Sequence, residues 1–119
     1  MPRTSSEMPC DPTPQLAVEF WKLAQAFERH LSSLDEARRA GGQAQLRYAR
    51  RRLDALLNEA DLRLATYDGE LWSPALPASA VNADEVGGEQ HVVEATLEPA
   101  VVGNDGRVVL PGKLVIKEA

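Results

Sequence analysis

The chain is 119 residues long, 44% hydrophobic and 5% aromatic, with a formal net charge of -5. That length is near the usual size of one domain with one core; the apolar content excludes disorder along the whole chain, and the shortage of aromatics points to packing built on Leu and Ala. A single cysteine, Cys10, excludes an intramolecular disulfide and a cysteine-based metal centre, and fits a reducing compartment.

Between Met1 and Pro14 the chain carries Pro2, Pro9, Pro12 and Pro14 but no apolar run, so it matches neither a signal peptide nor a membrane anchor. Residues 1–13 are expected to form a flexible Pro-rich tail of a cytoplasmic protein. Leu16, Phe20, Leu23, Phe27, Leu31 and Leu34 then recur at helical spacing, with charged residues on the other faces, which predicts an amphipathic helix over 14–40. Thr13 is its expected N-cap and Pro14 suits the first turn, while Arg38, Arg39 and Gly41-Gly42 mark its end. Leu46, Ala49, Leu53, Leu57, Ala60 and Leu64 continue the pattern and predict a second helix over 43–66.

At about 1.5 Å per residue each helix would run to roughly 36 Å, too long for the remaining β segment to cover. The uncovered apolar surface predicts a homodimer in which two helical hairpins form a four-helix bundle. A continuous helix pairing as a coiled coil, with Gly41-Gly42 tolerated inside it, is the alternative geometry. Arg47, Arg50, Arg51 and Arg52 are either a solvated face, helped by Asp54 four residues after Arg50, or a contact for an acidic protein or a phosphate backbone. Without an aromatic stacking platform beside the arginines, nucleic acid is the weaker alternative.

Beyond Tyr67 the texture changes to Gly and Pro punctuation with short Val-rich runs, which predicts a small all-β domain over 67–119 following the helical dimerisation region 14–66. The fold class is therefore α+β. Strands are expected at His91 to Leu97, Arg107 to Leu110 and Lys113 to Lys117. Asn104-Asp105-Gly106 is a tight-turn signal between Val101-Val102 and Val108-Val109, and Pro111-Gly112 turns the chain again. Charge divides along the same line: residues 15–66 hold nine Arg/Lys against seven Asp/Glu, whereas 67–119 hold three against nine. The acidic half argues against nucleic-acid binding through its surface.

Catalytic chemistry has little to stand on. His30 is expected to be a partly buried helix residue and His91 a solvated strand end; no phosphate loop, nucleophile elbow or metal-ligand spacing occurs, and no cofactor is implied. Trp21 is expected to pack on the helix stripe. Trp72 is either an anchor against the helices or an exposed binding aromatic.

Gly69-Glu70-Leu71-Trp72-Ser73-Pro74 is similar to the Gly-Glu-Pro-Phe-Asp-Pro loop of the GrpE-type nucleotide exchange factors, which act on DnaK-type chaperones. His91-Val92-Val93-Glu94 resembles that family's Thr-Val-Val-Glu strand, and Arg107 to Pro111 with Leu114-Val115-Ile116 resembles its closing strands. The helices around Gly41-Gly42 look like the end of its long helix and its short bundle helix. Ser73, Pro77 and Pro99 depart from the family's usual Asp, His and Gly, and the family's long N-terminal coiled coil is shortened here to a helix and a tail. The resemblance implies a non-enzymatic dimer whose β domain presses on the nucleotide-binding domain of a DnaK-type chaperone and opens it for ADP release. It implies partner contacts at Gly41, Gly42, Arg47, Arg51, Trp72, Pro74 and Val102. A helical dimeric scaffold that binds a partner without exchange activity is the alternative function.

Overall fold

A computed structural model describes residues 11–119. The expected tail, including Cys10, lies outside the described residues except for positions 11–13. Two helices come first, α1 (Thr13–Leu31) and α2 (Glu36–Glu59), followed by strands β1 (Leu62–Ala65), β2 (Ala78–Ala80), β3 (His91–Glu98), β4 (Ala100–Gly103), β5 (Val108–Leu110) and β6 (Gly112–Glu118). The α+β order of the sequence holds, with the helices forming a hairpin.

The hairpin turns at Ser32 to Asp35, eight residues before the expected Gly-Gly turn, centre to centre. Ser32 Oγ and Ser33 Oγ donate back to the carbonyls of Arg29 and His30 at 2.6 and 2.7 Å, satisfying the open end of α1. Asp35 then caps α2, its carboxylate accepting from the Arg38 N–H at 3.0 Å. Gly41 and Gly42 lie inside α2. Gly42 has a packing reason to be glycine: a Cβ there would overlap the side chain of Leu31, which is buried where α1 meets α2, whereas a Cβ on Gly41 would meet open space. At the start of α1, Pro12 occupies the N-cap and the Asp11 carboxylate, in place of Thr13, accepts from the Thr13 N–H and hydroxyl at 3.0 and 2.8 Å.

The second helix also ends earlier than its periodicity implies. Asp61 adopts a left-handed backbone with φ of 59°, and Leu62 to Ala65 leave the helix to pair antiparallel with β4. Leu64 thus continues the apolar spacing of α2 but belongs to a strand. The helical region stops before residue 66, and β1 extends the β unit back to residue 62.

Among the described residues six strands form two sheets, β1-β4-β5 and β2-β6-β3. The chain crosses from the second sheet to the first at Pro99 and returns at Pro111-Gly112. The two crossings touch, since a Cβ on Gly112 would sit 2.7 Å from the Glu98 carbonyl oxygen and 2.8 Å from the Ala100 nitrogen. Only glycine allows that approach. The turn at 104–106 forms as expected, with Gly106 at φ 91° and its N–H donating to the Gly103 carbonyl at 2.9 Å. Asn82 extends the edge of β6 without a strand: its side-chain amide both donates to the Ile116 carbonyl and accepts from the Ile116 N–H, at 2.8 and 2.9 Å.

Two apolar clusters replace the single core expected from length. One joins Ala17 and Val18 of α1 and Leu57 of α2 to Leu62 and Val101 of the first sheet. The other, Val93, Leu114 and Ile116 with Trp72, Leu76 and Val86 against it, lies wholly within the β unit. The glycines of α2 give a direct check on the hairpin. Gly41→Ala should raise stability by up to about 1 kcal/mol through helix propensity. Gly42→Ala should lower it by about 1–3 kcal/mol because Leu31 must be displaced. Urea unfolding at fixed protein concentration measures both, and the opposite order would mean that Leu31 does not close on α2.

Candidate protein-binding site

The hairpin has two unlike flanks. On one, Arg50 reaches across from α2 to α1, donating to Gln25 Oε1 at 3.0 Å and Glu28 Oε1 at 3.4 Å. Asp54, its expected partner, is not the one it takes. On the same side Lys22 pairs with Glu98 of β3 at 3.0 Å, which joins α1 to the β unit. Hydrogen bonding to Glu98 and the charges of Glu19 and Glu98 raise the Lys22 ammonium above its ordinary pKa.

The other flank is open and apolar. Leu16, Leu23 and Leu56 are 64%, 70% and 50% exposed, and Phe27 is also exposed. Between them lie two connected depressions of about 240 and 450 Å³, sharing Phe20 and Leu23 and floored by Ala24, Leu46, Leu53 and Leu57. The spacing that makes α1 amphipathic therefore directs part of its stripe into the hairpin and the β unit and part into solvent. Exposed apolar surface concentrated on one face of two helices is a mark of an interaction surface.

The seven residues singled out from the sequence do not form one site. Gly41, Arg47 and Arg51 are exposed on α2, and neither arginine pairs with a carboxylate among the described residues. Gly42 is packed on Leu31. Val102 is only 4% exposed in the centre of the first sheet, so its side chain serves the core and has no surface to offer a partner. Burial follows from its place on β4, which has a strand on each side.

Trp72 is an anchor, but against the second sheet and not against the helices. Its ring packs beside Val93, Leu114 and Ile116 and meets His91 edge-on, with centroids 6.4 Å apart. Pro74 remains exposed at the far end of the loop. The loop itself lies along β3: the Gly69 N–H donates to the Val93 carbonyl at 2.9 Å, the Val93 N–H to Glu70 at 2.8 Å, and the Trp72 N–H to His91 at 2.9 Å. Burial pushes the nearby Tyr67 hydroxyl above its usual pKa. Leu71, not marked as a contact by sequence, is 68% exposed. The alternation of side chains along an extended segment was the signal for it: with Trp72 turned in, Leu71 must turn out.

His30 is exposed on α1, contrary to the partly buried position expected for it, because its turn of the helix extends past the β unit. His91 is half-buried and its Nε2 lies 3.1 Å from the Gly87 carbonyl. Among the described residues no group of three His, Cys, Asp or Glu is placed to hold a metal ion, and no helix is long and apolar enough to cross a membrane. No protein-family model matches the chain, and neither a curated protein nor a solved structure matches it.

Trp72 Nε1 is buried without a hydrogen-bond partner among the described residues. Trp72→Phe should therefore cost little, within about 1 kcal/mol, since the lost N–H has no bond to break. Trp72→Ala should cost about 2–3 kcal/mol, somewhat below the value for a fully buried Trp because the ring is partly exposed. Thermal melts followed by circular dichroism distinguish the two outcomes.

Proposed function

We propose that this chain is a non-enzymatic, dimeric binding module that acts as a GrpE-like nucleotide exchange factor on a DnaK-type chaperone. The observation that carries this is the meeting of the stretches that resemble that family. Gly69 to Trp72 is hydrogen-bonded along His91 to Val93, and β3 pairs in turn with Leu114 to Ile116 of β6. Segments up to 47 positions apart in sequence, from Gly69 to Ile116, thus make one element at the end of a helical hairpin. Such an element suits a wedge, whose work is done by shape and affinity without bond chemistry.

Exchange by a wedge is linkage. A factor that prefers the open form of the nucleotide-binding domain and a nucleotide that prefers the closed form each weaken the other, and a tenfold effect requires only about 1.4 kcal/mol. The open flank of the hairpin supplies the dimer. Covering Leu16, Leu23 and Leu56 on each protomer contributes on the order of 1–2 kcal/mol per side chain, which offsets the cost of bringing two hairpins together as a four-helix bundle. The same flank also favours the second function, a dimeric scaffold that binds a partner without exchange. Gly41, Arg47, Arg51 and Pro74 are the sequence-derived contacts that remain available to a partner.

Stopped-flow release of labelled ADP from a DnaK-type chaperone separates the two functions: acceleration at saturating protein is expected, and its absence leaves the scaffold. Light scattering should give a dimer at micromolar concentration and a monomer for Leu23→Glu, which places a charge in the apolar flank. A wild-type monomer under those conditions would remove the bundle.

A further inference from the structure

Of the large apolar side chains that the β unit exposes, Leu71, Val81, Leu97 and Val108, Leu71 is the most exposed and sits on a pre-shaped support. Leu71 is 68% exposed, yet its backbone is fixed on both sides by the bonds to His91 and Val93 and by the Glu70 N–H, which donates to the Tyr67 carbonyl at 3.0 Å. Burial of the Trp72 ring on the opposite face holds Leu71 outward. Leu71 is opposite Val92, and Val92 is opposite Lys117, so Leu71 and Val92 form an apolar pair beside the outer edge of β3 that gives way to a lysine on β6. An apolar group already ordered in its binding position loses little entropy on contact.

The charge around it selects the kind of partner. Asp68 and Glu70 flank the loop and Glu94 follows on β3, all exposed, in a half of the chain with nine acidic residues against three basic. We propose that Leu71 is the anchor by which the β unit seats on its protein partner, entering an apolar depression on that protein bordered by Lys and Arg. This rests on the exchange function proposed above and identifies the contact as Leu71, with Trp72 its positioning residue. Complementary charge around a small apolar centre gives fast association and a salt-sensitive affinity.

The test is the concentration of protein that half-maximally accelerates ADP release from the DnaK-type chaperone. Leu71→Ala should raise it at least tenfold, Leu71→Met should leave it near wild type, and raising the salt should increase it for wild type. Val81→Ala, which trims another exposed apolar residue at the opposite edge of the same sheet, should leave it unchanged. Circular dichroism melts should show all three variants folded. If wild type accelerates release and Leu71→Ala does so at the same concentration, the anchor is overturned and exchange stands. If wild type itself leaves release unchanged, exchange on that chaperone fails and the anchor falls with it.

Discussion

The contact of Leu57 and Val101, with Ala17, Val18 and Leu62 around them, joins the two halves of this protein. Here the end of α2, the start of α1 and the centre of the first sheet meet, and the small side chains of Ala17 and Val18 let α1 lie close to the strands. Because this cluster sits at one end of the hairpin, the β unit covers only that end. Toward the turn, α1 and α2 have only each other, and Leu31 against Gly42 closes them. The exposed flank of Leu16, Leu23 and Leu56 has another cause, since Leu16 and Leu56 adjoin the cluster itself: the stripe is wider than one neighbouring helix and one small sheet can bury.

The β unit solves a different problem. Four of its strands have only three or four residues, and a three-stranded sheet built from such strands buries too little to stand alone. The crossings at Pro99 and Gly112 tie the two sheets together at one point, and a second cluster around Leu114 gives the distal sheet a core of its own. The segment from Tyr67 to Trp72 blocks the edge of β3 that would otherwise invite another strand. The two sheets are tied to each other at the crossings and, through the cluster around Leu57 and Val101, to the helices.

Much of this was legible in the sequence and some of it was not, for identifiable reasons. The helical spacing of Leu16 to Leu31, the three main strands and the Asn104-Asp105-Gly106 turn are local features, and they formed where local chemistry put them. The hairpin turn was misplaced because Gly41-Gly42 is the strongest breaker in isolation, while Ser32, Ser33 and Asp35 satisfy the helix ends with side chains, a capping signal less conspicuous than two glycines. Leu64 kept the helical period by coincidence, and only pairing with β4 makes its segment a strand. Among the chosen contacts, Val102 and Trp72 have an apolar side chain either role would use; the strands beside one and the ring environment of the other assign them to the interior.

By itself, then, the sequence determined an amphipathic helical half, an acidic β half and the separation between them, because periodicity, β-branched runs and charge are properties of neighbouring residues. Only the tertiary structure decided where the hairpin turns, which part of the apolar stripe stays exposed and that Leu71 faces outward while Trp72 faces in. Those depend on which surfaces meet across long stretches of chain, and burial is a property of the pair of surfaces that meet, not of either one alone.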